Sequence, residues 1–305
     1  VIACAQIAIF VKDMRIFGQF DNLSNHRTAS PFCNSIDRRA ESGNMHFKKI
    51  SPCDLTIKSI FSKFGILTAG LALIMVLLSA SLAQAVTYYS WTNAAPEATL
   101  SWWTGNNGTG SHPGNFTTAG DIFIIQNNNT MTNAASWTVN GTVQINTGCS
   151  LVFTAAASTL NLGVLTINGG TLTCSRAINV SGATTITGTI NLSGTMANIF
   201  TGDFTLNATS VYNETAPNTP TFAGNFANSA STFTASTGTY TFSGATKTFS
   251  GSGTTAIPNV AISGSYTNNG ILTVSTALTG AGSLTNSATG TLNLSGAGAG
   301  SCAIT

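Results

Sequence analysis

From about Thr138 onward the chain alternates apolar and polar residues in short runs: Leu160-Asn161-Leu162, Leu165-Thr166-Ile167, Leu172-Thr173-Cys174, Ile178-Asn179-Val180, Ile190-Asn191-Leu192, Phe204-Thr205-Leu206, Tyr240-Thr241-Phe242 and Leu292-Asn293-Leu294. A period of two sends successive side chains to opposite faces, so each run predicts a strand with one buried face. No stretch of helical period interrupts the series. The punctuation is equally regular, since Val180, Leu192, Phe242, Phe249, Ile262 and Leu294 are each followed by Ser and then Gly. These pairs predict tight turns in which glycine supplies a positive φ and serine bonds the local backbone.

Strands this short, joined by short turns, bury their apolar faces by stacking on neighbouring coils. The expected architecture is an all-β, right-handed parallel β-helix occupying residues 138–305. A coil of about 20 residues gives about ten coils and a rod near 50 Å long at the usual strand spacing. An antiparallel β-sandwich is the alternative, because many short strands with turn signals also describe that class.

Residues 86–137 differ from the repeat. All four tryptophans, Trp91, Trp102, Trp103 and Trp137, lie there, close to Tyr88 and Tyr89. The expectation is an aromatic N-terminal cap with the first coils, because a solenoid must close its terminal edge. Exposed aromatic faces also stack on sugar rings, which makes Trp102 and Trp103 candidate glycan contacts; packing inside the cap is the competing reading.

Upstream, Lys48, Lys49, Lys58 and Lys63 precede an apolar run from Ile66 to Leu78, followed by Ala83-Gln84-Ala85. A basic region, an apolar region and a small-x-small site form the pattern of a secretory signal peptide over residues 45–85, with Val86 as the first mature residue. An uncleaved membrane anchor is the alternative. Residues 1–44, mixed in charge and without periodicity, are expected to be upstream read-in. The expected location is secreted or at the outer cell surface, an oxidising setting in which Cys149 and Cys174, one coil apart, are a candidate disulfide; two small residues on a core ladder are the alternative.

Charge narrows the function further. Only 7% of the 305 residues are charged, and from Val86 onward the charged side chains are Glu97, Asp121, Asp203, Glu214, Arg176 and Lys247. Such a chain has no electrostatic footprint for nucleic acid or anionic membrane, and the expectation is that it binds neither, membrane contact being confined to the signal peptide or an anchor beyond Thr305. Glycoside hydrolysis needs two carboxyl groups about 5–10 Å apart. Asp203 and Glu214 are the one pair close in sequence, yet each sits in a stretch that reads as a solvent-facing turn. His112 is the sole histidine after Val86, no Gly-Lys-Ser/Thr phosphate loop occurs, and no cofactor, metal or catalytic activity is expected.

The order Trp103-Thr104-Gly105, Pro113-Gly114-Asn115-Phe116 and Gly120-Asp121-Ile122-Phe123-Ile124-Ile125 resembles the opening of secreted β-strand-repeat proteins of Bacteroidota-type bacteria. The segment Thr232 to Ser263 is similar to a repeat of those proteins and of adhesin-like β-helices. The resemblance implies a structural or adhesive surface protein whose partners are extracellular glycans or neighbouring cell surfaces; a carbohydrate-active β-helix protein is the alternative. The sequence stops inside repeat-like residues, so a fragment of a longer protein is expected, with its anchor beyond Thr305.

Overall fold

A computed structural model describes residues 84–296, 298–299 and 302–305; the expected upstream read-in and residues 45–83 of the expected signal peptide lie outside the described residues. The described chain winds into a parallel β-solenoid of about nine turns. The pairings that set its repeat are parallel. Antiparallel contacts among the described residues are confined to Tyr89 with Trp103 and Ser90 with Trp102, plus an isolated bridge between Asn146 and Gly169. This excludes the sandwich.

Each turn visits three faces. Face 1 begins with Thr87–Ser90 and Ile122–Ile125, continues through the second half of Trp137–Asn146, and runs by way of Thr184–Ile186, Phe204–Leu206 and Phe226–Asn228 to Ala303–Ile304. Face 2 carries Thr130–Thr132, Ser150–Phe153, Thr171–Cys174, Thr189–Leu192, Val211–Glu214 and Thr232–Thr234. Face 3 carries the first half of Trp137–Asn146 and of Thr159–Asn168, then Ala177–Val180, Ile199–Phe200, Thr221–Phe222 and Thr239–Phe242. Phe123 pairs with Val143, Val143 with Leu165, Phe226 with Phe249 and Thr254 with Ile271, so the period varies from 17 to 23 residues. Nine turns replace the expected ten because the aromatic segment contributes little to the stack. Thr87 pairs with Ile122, and the chain between them forms a long excursion whose strand residues are Trp102–Trp103, tied back to the stack at Asn93, Glu97 and Phe116 as well.

Parallel pairing in register places like positions above one another, so the core is a set of rungs. Met131, Leu151, Leu172, Ile190 and Tyr212 form one on face 2, all buried. On face 3, Phe200, Phe222 and Phe242 stack with ring centroids 5.3 and 5.4 Å apart and planes within 18° of parallel. Phe204 and Phe226 stack similarly on face 1 at 5.4 Å, and Phe204 meets Phe222 edge-on at 5.0 Å. Burying each ring contributes about 1.5–3 kcal/mol, and the aromatic contacts add about 0.5–1.5 kcal/mol per pair.

The serine-glycine punctuation has a different cause from the expected one. Of Gly182, Gly194, Gly244, Gly251, Gly264 and Gly296, Gly251 alone has a positive φ, +102°. The others are required by contact between coils. A Cβ at Gly182 would stand 2.6 Å from the carbonyl oxygen of Gly163, one at Gly202 2.3 Å from the main chain of Gly182, one at Gly224 2.2 Å from Gly202, and one at Gly264 2.0 Å from Gly244. These positions stack at the corner between faces 3 and 1, where only a side chain of hydrogen lets consecutive turns approach.

Alanine at Gly202 or Gly224 therefore lowers stability by roughly 2–4 kcal/mol in denaturant unfolding, because main chain must move to admit the methyl group. Gly114→Ala, where a Cβ would meet nothing within 4 Å, changes stability by less than about 0.5 kcal/mol. Equal losses at the two sites would contradict the corner argument.

Candidate functional site

Acid–base chemistry in residues 86–305 would have to pass through four carboxylates, Glu97, Asp121, Asp203 and Glu214. Each bonds a segment one turn away. Glu97 Oε1 accepts the backbone N–H groups of Ala134 and Ala135 at 2.7 and 2.8 Å. Asp121 Oδ1 accepts the N–H of Val86 at 2.9 Å. Asp203 Oδ1 accepts the N–H and side-chain amide of Asn225 at 2.8 and 3.1 Å, and these bonds hold its carboxyl below the usual range.

Glu214 departs furthest from expectation. It is 3% exposed rather than on a solvent-facing turn. The register puts it above Leu192, which itself stacks on Cys174 and Phe153, so it occupies an inward rung. Tyr212 donates to its Oε1 at 2.5 Å, and Tyr240, from the next turn, donates to its Oε2. The Ser236 N–H also reaches that oxygen at 3.4 Å. A carboxylate inside the solenoid is thus satisfied by two phenols and an amide, as burial of a charge requires. Asp203 is exposed at the corner before face 1 and Glu214 is inside face 2, so the structure does not bring them together around a substrate.

The aromatic candidates separate. Trp102 is fully buried, stacked on Trp137 at 5.6 Å and edge-on to Phe123, with Nε1 donating to Pro96 O at 2.8 Å. It has no face to offer a sugar. Trp103 is partly exposed and tilted against His112, with centroids 5.0 Å apart, while Trp91 is 46% exposed. The aromatic segment therefore divides between core and surface.

Cys149 and Cys174 are free and buried, as is Cys302. Ser150 pairs with Thr171 and Phe153 with Cys174, so Cys149 is level with Gly170 and lies four residues along the strand from Cys174. That offset is about 13 Å, well outside disulfide reach. Burial pushes the Cys174 thiol up to about 11. Of the expected cleavage residues, Ala83 lies outside the described residues, Ala85 is exposed and Val86 is partly buried.

The remaining feature is an open groove of about 260 Å³ on the outer side of face 3 and its corner, lined by Thr138, Asn140, Asn161, Asn179, Ser181 and Thr201 among others. Parallel register builds it, since Thr138, Asn161 and Asn179 are outward neighbours in three consecutive turns. Asn179 Nδ2 donates to Asn161 Oδ1 at 2.8 Å, and Asn161 Nδ2 donates to Thr138 Oγ1 at 3.2 Å. The lining carries hydroxyls and amides without charge. Sequence reading missed it because alignment between turns, not local pattern, brings those residues together. Among the described residues no group of three His, Cys, Asp or Glu side chains is placed to hold a metal ion. No family model matches the chain, and neither the curated proteins nor the solved structures show a match to it.

Two measurements test this description. Tyr212, Tyr240 and Tyr266 have phenols raised above their ordinary range by burial, helped in the first two by the charge of Glu214; for Tyr266 the value is about 12. A raised folded-state value favours the protonated phenol, so this stability is intact below the unfolded phenol range near about 10 and is lost as pH rises toward the folded values. In an alkaline absorbance titration these phenols ionise together with the loss of β-sheet circular dichroism; their ionisation in a chain that keeps its β signal would refute the burial. Separately, the mass of the chain from Val86 onward does not change on reduction, and Cys149 and Cys174 resist alkylation until denaturant unfolds the turns around them.

Proposed function

We propose that this chain is a secreted or cell-surface structural protein, adhesin-like and without catalytic activity, whose stacked turns display an uncharged surface of Thr, Ser and Asn. The observation that carries the reading is the use of all four carboxylates beyond Val86 as ties between turns or within the core. None is left beside a second carboxylate in an open cleft, the arrangement that acid–base cleavage of a polysaccharide requires. The signal-type sequence ending at Ala85 and the resemblance to secreted β-strand-repeat proteins support export. Partners consistent with the surface are extracellular glycans or neighbouring cell surfaces.

A second reading, a carbohydrate-active protein, is favoured by the face 3 groove. Its hydroxyls and amides suit a neutral, hydroxyl-rich chain better than an acidic one, since no cation lines it.

The test is to incubate the exported chain with a panel of neutral and acidic polysaccharides and with whole cells, measuring both retention and release of new chain ends. The proposal expects retention by a surface or neutral glycan without cleavage. If the groove is the contact, Asn161→Ala weakens binding by about tenfold, the equivalent of one or two lost hydrogen bonds. Release of reducing ends that disappears in Asp203→Asn overturns the non-catalytic reading.

A further inference from the structure

Asp121 is a buried acid immediately before the face 1 strand Ile122–Ile125. It is 3% exposed, and its main chain is fixed on both sides: its N–H donates to Thr118 O at 3.5 Å, and its carbonyl accepts the Thr142 N–H at 2.7 Å. Its carboxylate also raises the phenol of Tyr88, after burial, which places the charge at the edge of the core. Neither cation beyond Val86 is its partner. Arg176 donates to Thr154 O from its Nε, and Lys247 lies by Asp203. The side-chain bond that Asp121 makes is to the nitrogen of Val86, at 2.9 Å.

Val86 is the residue expected to follow the cleavage site. Its carbonyl accepts the Ile122 N–H at 2.9 Å and begins the face 1 ladder, and its side chain packs on the core. Gln84 and Ala85, immediately before it, are exposed. The bond to be cut is thus at the surface, while the nitrogen it releases is already seated on a buried carboxylate.

We propose that removal of the leader at Ala85–Val86 creates an ion pair between the new α-ammonium group of Val86 and Asp121, so that maturation itself locks the first rung of the solenoid. This rests on reading Ala83-Gln84-Ala85 as a cleavage site. The step is a hydrolysis by water, catalysed by an endopeptidase of the signal-peptidase class. The bond between the Ala85 carbonyl carbon and the Val86 nitrogen breaks, the water oxygen joins Ala85 to form a carboxylate, and the two water protons end on the Val86 nitrogen as ammonium. In the uncut chain Asp121 accepts one neutral N–H; in the cut chain it faces a full positive charge, the stronger form of the same bond. A buried carboxylate with no cation beside it among the described residues gains its counter-charge without movement of the strand.

The experiment has two parts. N-terminal sequencing of the exported product reads the cleavage, with Val86 expected first. Thermal melting then compares chains starting at Val86 with chains that retain Gln84 and Ala85, each with Asp121 and with Asp121→Asn. The Val86-start chain is expected to melt about 3–6 °C above the extended one, and Asp121→Asn to reduce that gap below about 1 °C. Acetylation of the Val86 amine in a chain of residues 86–305 with Lys247→Arg, where Lys247 is the one lysine, removes the charge without altering Asp121 and is expected to reproduce the extended chain's melting point. A gap that survives Asp121→Asn, or acetylation without effect, overturns the ion pair. A different native first residue overturns the cleavage reading and the maturation role with it, a result that the melting comparison cannot mimic.

Discussion

Hydrogen bonding of each turn to the next by main chain, all the way around the coil, is the constraint from which the other features follow. Parallel strands bond at a spacing of about 4.8 Å, and a solenoid must hold that spacing at its corners as well as along its faces. At the corner between faces 3 and 1, Gly182, Gly202, Gly224, Gly244 and Gly264 allow it, each with neighbouring main chain where a Cβ would be. Corners held that close keep successive strands in register, and register turns a loose alternation into rungs of the same residue type. Phe200, Phe222 and Phe242 stack with nearly parallel rings because the main chains beneath them are already aligned.

That hierarchy explains which parts of the structure were legible in the sequence. Alternation is local, so Ile190-Asn191-Leu192 and its counterparts announced strands and their buried faces, except at Leu292-Asn293-Leu294, where the strand forms but Leu294 is 49% exposed, and the short turns between them announced a stack. Alignment between turns is not local. With a period that drifts from 17 to 23 residues, no fixed spacing identifies which residues meet. The pairing of Cys149 with Cys174 failed for this reason: a separation of 25 residues looks like one turn, while the local turn, Leu151 to Leu172, is 21. Glu214 was misplaced because its charge outweighed its position. Tyr212-Asn213-Glu214 alternates inward, outward, inward, and only the register with Leu192 and the phenol of Tyr240 reveals why a carboxylate is tolerated there.

The glycines carry the same lesson from the opposite side. Their location at the turns was evident, but the reason inferred, a positive φ, holds for Gly251 and not for Gly182 or Gly264. Contact with the preceding turn is invisible in a single coil. Trp102 is a similar case, since four tryptophans in one segment give no indication of which rings face inward. The groove on face 3 is also a product of alignment, made where Thr138, Asn161 and Asn179 rise above one another with their amides bonded in series.

A chain with so few charges makes each one conspicuous, and the described carboxylates are placed where two turns need to be tied. A neutral polar side chain could accept the same hydrogen bonds, so the retention of charge calls for its own explanation. For Asp203 the nearby Lys247 offers one, and for Glu214 two phenols share the burden of burial. Among the described residues Asp121 has no such company; its side chain bonds the nitrogen of Val86, the atom that gains a positive charge if the leader is removed at Ala85. Solenoids are held together by neighbouring turns, and the terminal turn has a neighbour on one side alone. A charge pair formed at that end acts where the stack is otherwise least supported, which gives the acid at position 121 a physical reason that an amide in its place would not satisfy.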